Sequence, residues 1–304
     1  MASLKEIKGR IASVGSTLKI TSAMKLVASA KLRKAQQAIG NMVPYERQLH
    51  RILLDLMATV DKPVQAAGSS RAVRKVAILA FSSNSSLCGA FNSNVIKETL
   101  AVIKEYRAAG LKDSDITVYS IGRKMQDAMK KAGFVSPADY TRMADSPSYE
   151  AAVTLAQELL DAYSKGRYDK VELVYNHFKS TATQVVTRLV YLPFNLSDGP
   201  SVLTTRRPEV LEEEMPQPRN PEDLIIEPSP EELIGTLLPK VLRLRVYTAL
   251  LDSNAAEHAA RTVAMQTATD NGNDLLQELT LEYNKGRQQK ITSEILDIIG
   301  GSMQ

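Results

Sequence analysis

The 304-residue chain has no tryptophan and a single cysteine, Cys88. One thiol cannot form an internal disulfide, so the composition fits a protein of a reducing compartment. No apolar run reaches the ~18 residues that a membrane-spanning helix needs, which argues against membrane insertion. The formal net charge of +4 is too small by itself to indicate nucleic-acid binding. With 44% hydrophobic and 24% charged residues, the chain has an ordinary soluble composition and enough length for two domains.

Motifs for catalysis and cofactor binding are also missing. The segment 81–92, FSSNSSLCGAFN, follows an apolar run as a phosphate-binding loop would, but it contains neither G-x-G-x-x-G nor G-K-[ST]. No histidine near Cys88 in the sequence would activate its thiol, so a small buried residue is favoured over a nucleophile. The histidines are scattered and match no metal-binding motif; they are His50, His177 and His258. We therefore predict no catalytic residue, no cofactor and no metal site.

Apolar residues recur through the first sixty residues at alternating spacings of three and four. Fourteen of the seventeen positions between residues 4 and 60 are apolar. The exceptions are Thr21, Lys25 and Glu46. A seam this long predicts a coiled-coil helix over residues 1–60, which Pro44 bends or restarts.

The flanks of this N-terminal helix are basic, with ten Lys and Arg against three acids through residue 60. Nucleic-acid phosphates are one possible partner, but aromatic residues do not alternate with the bases, since Tyr45 alone lies among them, so a solvated or protein-facing surface is favoured. A mitochondrial transit peptide has a similar composition. That alternative is disfavoured because the helical pattern continues unbroken past residue 40.

The periodicity changes after residue 72. Apolar strand-like runs alternate with helical spacing, and the last two runs are joined by a tight polar turn. The predicted strands are 75–82, 116–121, 170–178 and 184–192, and the predicted helices are 91–109, 122–132 and 148–164. This order predicts a Rossmann-like α/β domain over 73–193, with a mostly parallel sheet, helices on both faces and an antiparallel hairpin at one edge.

A proline-rich, acidic loop is predicted over 194–229, with a short strand at 224–226. The next segment, 230–304, reads as a helix: Ser229 suits an N-cap, and Pro230 suits the first turn. We expect a short helix to Leu238 and then one helix to residue 299, which would be ~90 Å long. Seven alanines between residues 249 and 268 would allow another helix to approach closely.

A helix of that length cannot bury itself in one globular core. The predicted fold class is therefore α/β, with a long antiparallel coiled coil of the N- and C-terminal helices and the Rossmann-like domain at its base. From these residues alone, three functions stay open: a shaft turning inside a partner, a coiled-coil scaffold with an α/β adaptor domain, and a nucleotide-dependent α/β enzyme with helical arms.

Specific motifs at both ends narrow these alternatives. The segments 11–36, 257–271 and 283–301 and the turn SLCGAFN at 86–92 resemble the gamma subunits of F-type ATP synthases of bacterial type, in order and spacing along the full length. Two stretches depart from the family pattern. Residues 13–17 read SVGST where members commonly read SVKNT, and residues 83–92 lack an acid and a glycine of the usual turn.

The resemblance implies a non-catalytic central rotor of a proton-driven ATP synthase. Its coiled coil would turn inside a ring of three alpha and three beta subunits, and its α/β domain would form a foot that meets the epsilon subunit and the membrane c-ring. Proton flow would turn the c-ring and the shaft, which would drive each beta site in turn through ATP synthesis. The expected location is the bacterial plasma (inner) membrane, peripheral on its cytoplasmic side, without nucleic acid as a partner.

The resemblance also implies which residues touch the surrounding ring. Met24 and Lys25 match a motif near the moving C-terminal region of beta. The C-terminal motif matches at Arg287, Gln288, Thr292 and Glu294. In the family, the Arg-Gln pair meets a loop of beta, and the Thr and Glu assist coupling. An arginine that contacts a carboxylate in one rotational state and loses it in the next would transmit torque.

Overall fold

A computed structural model describes residues 3–60, 72–194 and 225–301. It contains four strands and six α-helices within these ranges, most of them where the sequence predicts them. The helices are α1 (Leu4–Ala58), α2 (Phe91–Ala108), α3 (Arg123–Lys131), α4 (Thr141–Asp145), α5 (Tyr149–Ser164) and α6 (Pro230–Gly301). The strands are β1 (Val76–Phe81), β2 (Ile116–Ile121), β3 (Lys170–Phe178) and β4 (Gln184–Leu192). The sequence analysis missed the five-residue α4 and a 3₁₀ turn at Asp113–Asp115.

The predicted seam of α1 is the face that α1 buries. Each of its seventeen positions between residues 4 and 60 is buried or half-buried. Ser3 caps the helix by accepting a hydrogen bond from the Glu6 amide (3.2 Å), and the helix continues through Pro44. The polar exception Thr21 is accommodated because its hydroxyl hydrogen-bonds that of Thr269 on α6 (2.9 Å).

The two long helices pair antiparallel in a constant register. Leu18 lies against Gly272, Thr21 against Thr269, and Leu4 against Gly286. In each pair the two residue numbers add up to 290, as an antiparallel pair without a register shift requires. A Cβ on Gly272 would lie 2.7 Å from Cδ2 of Leu18, so glycine allows the close approach despite its low helix propensity.

The C-terminal helix is one element of 72 residues, ~108 Å by helix rise. The prediction of a separate short helix ending at Leu238 is wrong, because α6 continues through Pro239. Ile234, Leu238 and Leu242 are buried in the same core on both sides of the proline, so their packing holds the axis although one backbone hydrogen bond is lost. At the N-terminus, the Glu232 amide donates to Oγ of Ser229 (3.2 Å), as the N-cap prediction requires.

The α/β domain contains one sheet with the strand order β2-β1-β3-β4. The first three strands are parallel, and β4 runs antiparallel to β3, which confirms the predicted edge hairpin. Helices α2 and α3 cover one face of the sheet, and α5 together with the long helices covers the other. Gly122 connects β2 to α3 with φ +95°, and a Cβ there would lie 2.3 Å from the backbone oxygen of Ser82.

The sheet lies alongside α6 with a definite direction. The Tyr191 hydroxyl donates to the Leu242 carbonyl (3.1 Å) near the start of β3, whereas His177 at the end of β3 contacts Asp252. The carboxyl ends of the parallel strands therefore point along α6 toward its C-terminus. Ile225 and Ile226 form no strand, contrary to the prediction for 224–226, while Leu224 and residues 195–223 of the predicted loop lie outside the described residues.

Candidate functional site

The C-terminal end of α6 extends beyond its partner helix. Leu4, the first residue of α1, lies against Gly286, so α6 continues for residues 287–301 past the start of α1. This stretch is ~22 Å long by helix rise. Every residue from 287 to 299 is exposed. We call residues 287–299 the tip.

Four of the predicted contact residues lie on the tip: Arg287, Gln288, Thr292 and Glu294. The Thr292 hydroxyl donates to the Gln288 carbonyl (3.0 Å) within the helix. Glu294 Oε1 lies 3.7 Å from Nζ of Lys290, a solvent-exposed i,i+4 pair that contributes little to stability. The charged and amide groups of the tip are therefore directed to the outside of the molecule, where a partner can reach them.

Large apolar side chains are exposed on the same stretch. They are Ile291, Ile295, Leu296, Ile298 and Ile299, with exposed fractions between 47% and 71%. Several large apolar residues within three helical turns are unusual for a free protein surface and mark an interaction site. The tip thus combines an apolar surface with the polar groups of its contact residues.

Met24 and Lys25 lie at a different level of the shaft. Both are half-buried on α1, and the register places Lys25 opposite Met265. Arg287 is twenty-two residues farther along α6, or ~33 Å by helix rise, so the structure does not bring the two groups together. Around Met24 and Lys25, α1 exposes more apolar side chains: Ile20, Leu26 and Val27. The predicted contacts therefore form two separate levels along the coiled coil.

A third feature, which the sequence analysis missed, is the junction where α6 leaves the α/β domain. Nδ1 of His177 lies 2.6 Å from Oδ2 of Asp252, and the Phe178 amide donates to the other carboxylate oxygen (2.9 Å). Burial raises the pKa of Asp252, and this effect outweighs the hydrogen bond from His177. Asn254 donates to the Ala144 carbonyl (3.0 Å). These polar contacts, all buried or half-buried, join the sheet and α4 to α6.

The SLCGAFN turn belongs to the same junction. Nη2 of Arg261 donates to Oγ of Ser85 (2.8 Å), and its other nitrogen pairs with Glu257 one turn away. Cys88 is buried with Phe91 against alanines of α6, and burial raises the pKa of its thiol. The prediction of a small buried cysteine is thus confirmed. The alanines of residues 249–268 were a partial indication of this junction in the sequence. Ala255 and Ala259 contact α1, whereas Ala256 and Ala260 contact this turn.

Within 3–60, 72–194 and 225–301, no group of three or more His, Cys, Asp or Glu residues is arranged to hold a metal ion. None of the helices in these ranges is long and apolar enough to cross a membrane.

Comparisons with known proteins agree with the motifs. A family model described as ATP synthase matches residues 3–303. The ATP synthase gamma chain of Phocaeicola vulgatus is 53% identical over 303 residues, and that of Bacteroides thetaiotaomicron is 52% identical over 305, each match covering 100% of both chains.

Solved structures share the fold at lower identity. One chain of the Euglena gracilis mitochondrial ATP synthase (OSCP/F1/c-ring) is 20% identical with a TM-score of 0.61, and the match covers 99% of this chain and 93% of that one. A chain of the Tetrahymena thermophila central stalk and c-ring is 23% identical with a TM-score of 0.55, covering 82% and 99%. On the strength of the family model and the full-length relatives, this chain belongs to the ATP synthase gamma-chain family.

Proposed function

We propose that this chain is the central rotor of a proton-driven ATP synthase. The observation that carries this proposal is the tip, a helix end that extends beyond the start of α1 and exposes both apolar and charged side chains. In the rotor, α1 and α6 are the two helices of the shaft, and the α/β domain over 73–193 is the foot. The shaft turns inside a ring of three alpha and three beta subunits.

The foot meets the epsilon subunit and the c-ring. Proton flow turns the c-ring, which turns the foot and the shaft together. The junction supports this rigid transmission, because Asp252 fixes α6 to β3, and Arg261 fixes it to Ser85 and to the Ser86 carbonyl at the start of the SLCGAFN turn. The chain itself has no catalytic, cofactor-binding or metal-binding role. ATP chemistry belongs to the beta subunits, and the asymmetric shaft imposes a different conformation on each of them.

The two levels of contact residues then have separate roles. At the tip, Arg287 and Gln288 contact a loop of beta in some rotational states and lose that contact in others. Thr292 and Glu294 assist this coupling. At the lower level, Met24 and Lys25 act near the moving C-terminal region of beta. A contact transmits torque only if its free energy differs between rotational states, as it would for a shaft side chain that meets a carboxylate in one state and loses it in the next.

The complex places this chain at the bacterial plasma (inner) membrane, on the cytoplasmic side. The attachment is peripheral and runs through the c-ring. Nucleic acid is not a partner in this proposal.

The test is co-assembly with alpha and beta subunits. The tagged chain should copurify with both in a 1:3:3 complex, and a bead attached to its foot should rotate when ATP is supplied to the immobilised ring. A chain that never joins alpha and beta would contradict the proposal and favour the scaffold. Micromolar binding of ATP or NAD by the isolated chain would instead favour an α/β enzyme.

A further inference from the structure

All three histidines of the chain are buried, although imidazole is the side chain that changes its charge closest to neutral pH. His177 has a carboxylate beside it, since its Nδ1 lies 2.6 Å from Oδ2 of Asp252. His258 differs, because its Nδ1 is buried and has no hydrogen-bond partner among the described residues. When the His258 ring is protonated, both of its nitrogens become donors, and Nδ1–H then has no acceptor.

His258 lies between two contacts that hold α6 to the α/β domain. Asn254 donates to the Ala144 carbonyl (3.0 Å), and Nη2 of Arg261 donates to Oγ of Ser85 (2.8 Å). Asn254, His258 and Arg261 follow the spacing i, i+4, i+7, so they share one face of the helix. A charge that forms on His258 therefore acts directly between these two hydrogen bonds.

The charges around the His258 ring do not compensate a proton on it. Lys31 of α1 and Arg261 of α6 both oppose a positive charge at this site, and Asp145 at the end of α4 favours it. Glu257, the preceding residue of α6, is already paired with Arg261. Burial, with the two cations as the next causes, lowers the pKa of His258 to about 4.

We infer that the contact of α6 with α4 and with residues 85–92 is acid-sensitive and opens locally when His258 is protonated. The added N–H reaches water only if the ring leaves its buried position, and that movement separates α6 from Ala144 and Ser85. His177 does not act in this way, because Asp252 lies beside it. The inference concerns the chain alone. In the proposed rotor, its consequence would be a weaker attachment of the foot to the shaft in acid.

The test is amide hydrogen exchange of the free, full-length chain at pH 7 and pH 5, measured by mass spectrometry. Protection factors correct for the intrinsic pH dependence of exchange, and they are compared for the amides of residues 85–92 and 254–262. His258→Gln removes the titrating ring and keeps a polar side chain. Lys31→Gln leaves the ring in place and removes an exposed charge that opposes its protonation.

His50→Gln is the matched control. His50 is also buried, its Nε2 has no partner within the described ranges, and burial lowers its pKa. It lies on α1 near Arg245, which is ~20 Å by helix rise from His258 along α6. A general loss of stability through buried histidines would therefore respond to His50→Gln, whereas a local opening at His258 would not.

From pH 7 to pH 5, protection of these amides should fall by roughly ten- to thirtyfold in the unmodified chain, because the open form takes up a proton that the closed form does not. The same fall is expected for His50→Gln. The fall should be about twofold smaller for Lys31→Gln and less than about threefold in total for His258→Gln.

Unchanged protection in the unmodified chain would overturn the inference. Equal falls in the unmodified chain and in His258→Gln or Lys31→Gln would also overturn it, as would a fall in His50→Gln as small as that in His258→Gln. The measurement uses the chain without alpha or beta subunits. A failure to assemble with them would therefore contradict the rotor proposal and leave this result standing.

Discussion

Two stretches of α6 contrast in what surrounds them. Residues 241–261 are buried or half-buried throughout, although they include three arginines, a histidine, an aspartate and a glutamate. Residues 287–299 are exposed throughout, although they include four isoleucines and a leucine. Residue type alone therefore does not decide which of these side chains are buried. The buried Asp252 and Glu257 pair with His177 and Arg261 inside the chain, whereas the large apolar side chains of residues 291–298 are exposed and suit contact with another protein.

The largest expected effect tests the buried stretch. Asp252→Ala should lower the free energy of unfolding by about 3–5 kcal/mol, because it removes one member of a buried pair and with it the hydrogen bonds to Nδ1 of His177 and to the Phe178 amide. Urea unfolding followed by far-UV circular dichroism measures the change. Glu294→Ala at the tip is the control and should change the same quantity by no more than about 0.5 kcal/mol. A loss below about 1 kcal/mol for Asp252→Ala would show that the junction does not hold α6 as described.

The next effect tests the packed coiled coil between these two stretches. Gly272→Leu should lower the free energy of unfolding by about 1–3 kcal/mol, because even a Cβ would lie 2.7 Å from Cδ2 of Leu18. Thermal unfolding of the full-length chain measures it. Gly15→Leu, at an open position of α1, should cause no loss. Equal melting temperatures for the two variants would contradict the register described for the shaft.

Acidification should cause a smaller loss in the free energy of unfolding, through His258 in the buried stretch 241–261. Burial, assisted by the positive charges of Lys31 and Arg261, lowers the pKa of His258 to about 4, while Asp145 opposes the shift. Between that value and 6.5 the unfolded chain binds more protons at this site than the native chain. Stability from this group is therefore complete above pH 6.5 and is lost as the pH falls toward 4.

Lowering the pH from 7 to 5 should thus cost about 1–2 kcal/mol at His258. Burial also lowers the pKa of His50, with Arg245 contributing, so the measurement compares variants rather than absolute curves. Denaturant unfolding of the unmodified chain and of His258→Gln at both pH values isolates the contribution. If His258→Gln loses as much stability on acidification as the unmodified chain, the assignment is wrong.

The smallest effect on stability is expected at the tip, where the effect on function should be clear. Arg287→Ala combined with Gln288→Ala should change the free energy of unfolding by no more than about 0.5 kcal/mol, since both side chains are exposed. In the complex, loss of a charge-assisted contact should slow ATP hydrolysis and proton pumping by about tenfold while assembly survives. Lys285→Ala, an exposed neighbour on α6, is a matched control. Unchanged hydrolysis and pumping would remove the pair from the coupling mechanism.

Much of the architecture follows from the order of residues. The seam of α1 is buried at every predicted position because its spacing of three and four repeats for eight heptads, and such a pattern is local information. The strands 170–178 and 184–192 are found with the predicted bounds for the same reason. The helix boundary predicted at Pro239 is absent. The packing of Ile234, Leu238 and Leu242 on both sides of the proline outweighs its tendency to end a helix.

The sequence by itself determined that the chain has two long helices, an α/β domain between them, and the motifs of a gamma chain. Only the tertiary structure decided the register in which the two long helices pair. Seam spacing is nearly the same at successive heptads, so it does not fix the register; Gly272, Gly286 and the contact between Thr21 and Thr269 do. That register lets α6 extend beyond the start of α1, where residues 287–299 are exposed. It also decides which charges of α6 are buried and which apolar residues are left exposed, because both depend on contacts between residues far apart in the chain.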